Sequence, residues 1–289
     1  GLGDVYKRQL LIKTNLFITI METKPQKAKA RSKGVSAGLV IIGCAIVAFC
    51  FFFFVCGDPS GFDEKGHPHP GNYFATLFQG GYVIPIVITL LLTTISLSVE
   101  RFFALNRAAG KGSIPKFVAE AKAKLEAGDI AGAEKLCDAQ KGSVANILKA
   151  GLVRYQDVES YTDMNNDEKA EIIQHEIEDA TTLELPYLEQ NLSIIATIST
   201  LGTLFGLFGT VLGMIKSFAA MGQEGAPDST ALAVGISEAL MNTAMGIGTG
   251  ALSIIFYNYF QGRVKDTTDA VNEIAFAIGQ TYVSKHGRA

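Results

Sequence analysis

Residues 204–218 read LFGLFGTVLGMIKSF, and residues 236–260 read ISEALMNTAMGIGTGALSIIFYNYF. Both stretches belong to apolar segments, which we predict to be transmembrane helices at residues 191–220 and 232–260. A helix needs about 20 mainly apolar residues to cross ~30 Å of hydrocarbon. Residues 35–56 and 81–105 meet the same requirement. The sequence therefore predicts four transmembrane helices.

The composition is that of a membrane protein. Of the 289 residues, 48% are hydrophobic and only 18% are charged, whereas an ordinary soluble domain has about 25% charged residues. This much apolar surface excludes a disordered chain. The net charge of −3 provides no basic surface for phosphate backbones, so we expect no nucleic-acid partner and a lipid bilayer instead.

The distribution of Lys and Arg predicts the orientation, because positive charge is disfavoured in translocated loops. The cations that flank the spans on one side are Lys24, Lys27, Lys29, Arg31 and Lys33 before span one, Arg101, Arg107, Lys111 and Lys116 after span two, and Arg263 and Lys265 after span four. Lys216, at the outer end of span three, is the exception, and its long side chain can reach the membrane surface. We predict a multi-pass protein of the bacterial inner membrane with both termini in the cytoplasm.

These charges give a complete set of expected segments. Residues 1–20 resemble a non-native leader, and we expect Met21 to be the true start. The remaining expected segments are a basic cytoplasmic tail at 21–34, periplasmic loops at 57–80 and 221–231, a cytoplasmic helical domain at 106–190 and a cytoplasmic C-terminal helix at 261–289. The predicted fold class is an all-α membrane protein with four transmembrane helices and a helical cytoplasmic insertion between spans two and three.

Small residues follow one face of span three. At about 100° per residue, four glycines share this face with Ser and Thr residues, and bulky apolar side chains occupy the other face. The glycines are Gly202, Gly206, Gly209 and Gly213. Their small-xxx-small spacing is typical of close helix packing, so we assign them to packing.

A polar stripe follows span four. Glu238 lies on the same helical face as Asn242, Thr249 and Ser253, and Thr243 lies at the margin of this face. Unpaired polar groups are costly in hydrocarbon, so such a stripe needs a partner or water, and an ion path is one solution. Alternatively, the 24 uncharged residues after Glu238 cross the membrane and leave Glu238 outside. We favour an intramembrane or boundary position, where an ionisable side chain is a functional candidate.

No enzyme motif is present in the sequence. His175-Glu176 lacks the second His of a zinc helix, and His67 and His69 have no third ligand. We therefore predict a protein that is not an enzyme, with no catalytic residues, no cofactor and no metal site.

The two membrane stretches resemble the MotA/TolQ/ExbB proton channel family, most closely its ExbB branch. The motifs that carry the resemblance are LFGLFGTVLGMIKSF and ISEALMNTAMGIGTGALSIIFYNYF, and EAGDIAGAEKLCDAQKGSVANILKAGL agrees more loosely. The resemblance implies a homo-oligomer, a pentamer, around the membrane helices of an ExbD-like single-span protein. It also implies that proton flow through this assembly energises a TonB-like protein and, through it, TonB-dependent outer-membrane transport.

The resemblance also suggests which residues form the proton pathway. The family's pore threonine in GLFGTV corresponds to Thr210, and its Glu and Thr in EALxxTA correspond to Glu238 and Thr243. We assign these residues to the proton pathway, and Asn242, Thr249 and Ser253 to a pore or polar stripe. The chain departs from the pattern in two ways, because span four lacks the AIPA stretch of many relatives and span one is additional to the usual three ExbB helices. The extra span is similar to the four-helix layout of MotA and leaves a MotA-like stator subunit as an alternative. A TolQ-like subunit is a further alternative, because the sequence does not identify the client protein, and a non-conducting membrane scaffold is the alternative from another class.

Overall fold

The computed structural model describes residues 36–63, 68–69, 71–162, 164–221 and 229–286. The predictions for Met21, for the basic tail, for His67 and for most of the loop at 221–231 lie outside the described residues. The helices are α1 (Ala37–Phe51), α2 (Tyr73–Gln79), α3 (Val83–Ala109), α4 (Ile114–Glu126), α5 (Ile130–Gln140), α6 (Ser143–Glu159), α7 (Asn166–Glu189), α8 (Leu192–Met221) and α9 (Ser229–His286).

The predicted all-α fold with four candidate membrane-spanning helices is confirmed. The described residues form helices and turns, with an isolated β-bridge between Phe62 and Pro68. Four helical segments in the described residues are long and apolar enough to cross a membrane, namely Ala37–Cys56, Val83–Glu126, Asn166–Ala219 and Leu232–Lys285. The last three extend well beyond the thickness of a bilayer, because about 20 residues suffice for one crossing.

The first membrane helix packs against the second. A π-helical turn, Phe52–Cys56, extends α1, and its buried Phe52 stacks on Phe78 of α2 with 4.9 Å between the ring centroids. Ala48 and Cys56 are buried in the same cluster as Ile84 of α3. The C-terminal end of α1 is thus held by aromatic packing to the short helix that precedes span two.

The helices between spans two and three pack on the long extension of α9. Capping side chains define them: Asp129 Oδ1 accepts a hydrogen bond from Gly132 N at 2.8 Å before α5, and Asn165 forms a capping box with Glu168 before α7. Tyr155 of α6 meets Tyr282 of α9 edge to face, with 5.0 Å between ring centroids. Both tyrosines are buried. Aromatic packing therefore joins the insertion to the C-terminal helix.

A buried arginine lies where α7 meets span three. Arg101 is fully buried, forms an ion pair with Glu100, and donates from Nη1 to Tyr187 O at 3.1 Å. The carbonyl of Tyr187 lies in the last turn of α7, where helical partners run out. The helix ends at the next residues, because Gln190 has a non-helical ψ of 136° and Asn191 has a φ of 63°. The break thus lies beyond Pro186, which α7 accommodates within its last turns.

Candidate functional site

The glycine face of α8 contacts α9 of the same chain. A methyl group on Gly206 would lie 2.9 Å from Gly246 Cα, and one on Gly202 would lie 3.1 Å from Gly250 N. Gly213 has comparably little space beside Ala239, at 2.8 Å from its Cβ. Because these contacts involve backbone and Cβ atoms, the two helices are as close as their backbones allow. This close approach positions every polar side chain described below.

Two threonines meet across this helix pair at the level of the glycines. The hydroxyl groups of Thr210 and Thr243 are hydrogen-bonded to each other. Thr210 Oγ1 also lies 3.2 Å from the carbonyl oxygen of Gly206, and Thr243 Oγ1 lies 3.2 Å from that of Ala239. Both threonines are only half-buried. We call Thr210 and Thr243 the threonine pair; its hydroxyls are bonded within the chain, and both residues are partly exposed.

Glu238 lies about one helical turn before the threonine pair and has a direct cationic partner. Lys216 Nζ of α8 donates to Glu238 Oε1 at 2.5 Å. The Glu238 side chain is 8% exposed, whereas that of Lys216 is 59% exposed. Lys216, the cation that conflicts with the predicted orientation, thus neutralises Glu238, which is the one acidic residue of span four. Sequence reasoning missed this pair, because the two residues lie on different helices and only the register between α8 and α9 brings them together.

The other polar residues of span four are buried inside the chain. Asn242 Nδ2 donates to Gly80 O at 3.1 Å, and the Ser253 hydroxyl bonds to that of Thr94 in α3 at 2.8 Å. Thr249 donates to Met245 O of its own helix at 2.9 Å. All three side chains have exposures of at most 1%. The structure therefore divides the predicted polar residues into two groups. The threonine pair is partly exposed. Buried between helices of the same chain are Asn242, Thr249 and Ser253.

Span two contributes hydroxyl groups that the sequence reasoning left unused. Thr89, Thr93, Thr94 and Ser98 are buried on α3. The signal for them is present in the printed sequence, since LLTTISLS at 91–98 places hydroxyl side chains among apolar ones. Hydroxyls in membrane helices commonly bond to a neighbouring helix, as Thr94 does here. Span two thus provides a hydrogen-bond partner for Ser253, which belongs to the polar stripe of span four.

Comparison with known proteins identifies the family. The model of the MotA/TolQ/ExbB proton channel family matches residues 139–273, which include the threonine pair and Glu238. The biopolymer transport protein ExbB of Aquifex aeolicus is 30% identical over 119 residues, which are 41% of this chain and 72% of that protein. The chain belongs to the MotA/TolQ/ExbB proton channel family. This family consists of channel-type membrane proteins, which confirms the prediction that the chain is not an enzyme.

Other relatives carry the names of two branches of the family. An ExbB-like biopolymer transport protein of Synechocystis sp. is 39% identical over 87 residues, which are 29% of this chain and 41% of that protein. The Tol-Pal system protein TolQ of Pseudomonas aeruginosa is 30% identical over 120 residues, 42% of this chain and 52% of that protein. The chain thus spans less than two thirds of the length of either relative, and both ExbB and TolQ names occur.

Proposed function

We propose that the chain is the proton-channel subunit of an ExbB–ExbD-like motor in the bacterial inner membrane, which uses the proton gradient to energise TonB-dependent outer-membrane transport. The observation that carries this proposal is the arrangement of Thr210, Thr243 and Glu238. Two mutually bonded hydroxyls and a carboxylate lie on adjoining turns of two closely packed membrane helices. Hydroxyls and carboxylates can accept and donate protons where hydrocarbon cannot, so ionisable groups at this depth are functional candidates.

The arrangement supports a partner that brings its own acidic group. In α8 and the membrane part of α9, Glu238 is the only acidic side chain, and Lys216 already binds it. The threonine pair is partly exposed. We therefore propose that the aspartate of an ExbD-like single-span protein approaches the threonine pair inside a homo-oligomer, a pentamer, and that a TonB-like protein uses the resulting motion.

A TolQ- or MotA-like stator is the second candidate. Relatives named TolQ support a TolQ-like role. The four candidate spans support a MotA-like role, because the extra span is the feature shared with the MotA layout. In either form the same threonine pair would line the proton route. The choice between ExbB, TolQ and MotA roles concerns the client protein rather than the channel.

Proton flux tests the proposal. Liposomes would contain the chain together with a co-expressed single-span partner, and internal pH would be followed after an imposed gradient. We expect Thr210→Val and Thr243→Val, which keep shape but remove the hydroxyl, each to reduce flux at least tenfold. Thr197→Val is the matched control, because Thr197 is an exposed residue of α8 that donates to Ser193 O of its own helix at 2.8 Å.

The same experiment distinguishes a channel from a scaffold. Flux at the level of empty liposomes, from an assembled complex that contains the unmodified chain, would favour the non-conducting scaffold. Flux that survives in both threonine variants would exclude the threonine pair from the route. Glu238→Gln extends the test, because it removes the charge and keeps the size of the side chain.

A further inference from the structure

Glu238 and Asn242 both border the turn between α2 and α3. They lie four residues apart on α9 and therefore on one face of the helix. A methyl group on Gly81 would lie 3.3 Å from Glu238 Oε1 and 3.6 Å from Lys216 Nζ, and one on Gly80 would lie 3.0 Å from Asn242 Oδ1. Since consecutive Cα atoms are about 3.8 Å apart, the two side-chain oxygens line the same small turn.

Of the two polar atoms of the Asn242 side-chain amide, the nitrogen has a hydrogen-bond partner and the oxygen has none within the described residues. Its Nδ2 donates to Gly80 O at 3.1 Å, which fixes the orientation of the amide, because the opposite orientation would set two acceptors against each other. Its Oδ1 is buried and accepts no hydrogen bond within the part of the chain that the structure describes. Buried amide oxygens normally have a donor. The residue is 1% exposed, so we look for the missing donor within the site itself.

Glu238 itself can become that donor. As a carboxylate it has acceptor oxygens only, whereas a protonated carboxyl group has one O–H to donate. No other ionisable side chain lies within one turn of Glu238 on α9. The turn that contains Gly80 and Gly81 includes Tyr82, whose side chain is exposed. Lys216 of α8 is the charged group in contact with Glu238. The carboxyl group thus has one partner suited to each of its two protonation states.

We propose that Glu238 exchanges partners as it gains and loses a proton: the carboxylate binds Lys216, and the protonated carboxyl group donates to Asn242 Oδ1. Hydronium on the accessible side gives its proton to Glu238 and leaves water, and the reverse step returns the proton to water. The Lys216 ammonium keeps its charge throughout and turns towards solvent, where most of its side chain already lies. Asn242 is thereby a positioning residue for the proton route, and this role rests on the proposed function.

Infrared titration of the full-length chain in lipid nanodiscs tests the exchange. The carboxyl band of protonated Glu238 is identified by its absence in Glu238→Gln, and its intensity is followed against pH. Lys216→Met removes the partner of the charged form, so the band should be stronger than in the unmodified chain at the same pH. Asn242→Ala removes the partner of the neutral form, so the band should be weaker at that pH. Thr89→Val, which removes a buried hydroxyl that donates to Pro85 O at 2.7 Å, should leave it unchanged.

The opposite direction of the two intensity changes is the decisive result. An unchanged band in Asn242→Ala, or changes of the same sign in both variants, would overturn the proposal. Asn242→Ser retains a smaller acceptor and should give an intermediate band intensity, which provides a second measurement if Asn242→Ala folds poorly. Absence of proton flux with the opposite intensity changes intact would count against the proposed function alone.

Discussion

Cys137 shows how burial controls the chemistry of a single residue. It lies on α5 with 3% exposure, and burial, with a smaller contribution from Asp138, raises its pKa from 9.0 to about 12. Since only the thiolate reacts, the reactive fraction at pH 8 should be about a thousandfold lower than for a thiol with a pKa of 9.0. We expect Cys137 to resist iodoacetamide in the folded protein and to react once the chain is denatured, as measured by mass spectrometry.

A second thiol provides the control for this prediction. Ser113 is exposed at the start of α4 and its side chain makes no capping hydrogen bond, so Ser113→Cys introduces an accessible thiol nearby. That thiol should react at least as fast as a free cysteine under the same conditions, because a helix N-terminus favours the thiolate. Equal alkylation rates at the two positions in folded protein would show that Cys137 is not sequestered.

Residues differ in how well the sequence predicts their surroundings. The positions of Thr210, Thr243 and Glu238 on membrane helices follow from hydropathy and helical period, which depend on local sequence only. The partner of Glu238 does not, because Lys216 is 22 residues away on another helix. Buried Arg101 is similar, since its contacts with Tyr187 O depend on where α7 ends. Tertiary register, rather than composition, decides these contacts.

At the level of elements, the packing of α8 against α9 depends on single glycines. A methyl group on Gly246 would lie 2.6 Å from Gly202 O, which is shorter than van der Waals contact, so the backbones would have to separate. We expect Gly246→Ala to destabilise the helix pair by about 1–3 kcal/mol. Unfolding in micelles of increasing dodecyl sulfate content, followed by circular dichroism, measures this free energy.

Gly248 provides the matched control on the same helix. A methyl group there would have no atom within 4 Å in the described part of the chain. Gly248→Ala should therefore be neutral or stabilise α9, because alanine is favoured over glycine in a helix interior by about 1 kcal/mol. Equal destabilisation by both substitutions would show that the close approach of Gly246 to α8 does not distinguish it from Gly248, and would contradict the packing argument.

The sequence predicts the contact face of α8 but not its neighbour. Helical period places the four glycines together, and small residues at this spacing favour close approach. The same sequence is compatible with a contact between copies of the chain, and the structure shows contact with α9 of the same chain. The cause is the antiparallel pairing of two consecutive helices joined by a short loop, which brings glycines of both helices to the same level.

The whole molecule is organised around α9, a long helix that continues beyond the length needed to cross a membrane. The 58 residues of α9 correspond to about 87 Å, and a bilayer core takes up ~30 Å of this length. Helices α4 and α6 pack on its extension, through the Lys122–Glu273 ion pair at 2.9 Å and the Tyr155–Tyr282 contact. Movement of α9 in the membrane would therefore be transmitted directly to the α4–α7 region.

The orientation of the whole molecule gives the final prediction. Arg101, Arg107, Lys111 and Lys116 follow span two, so the α4–α7 region should face the cytoplasm and the segment between α1 and α2 the periplasm. In a variant without native cysteines, Ser60→Cys and Ser113→Cys introduce exposed thiols into these two regions. A membrane-impermeant maleimide added to intact cells should label Ser60→Cys and leave Ser113→Cys unlabelled, and permeabilised cells should show both labelled. The Lys216–Glu238 pair removes the main charge argument against this orientation, because the outer cation is neutralised at its site. Labelling of Ser113→Cys alone in intact cells would invert the topology and move the Lys216–Glu238 pair to the cytoplasmic side.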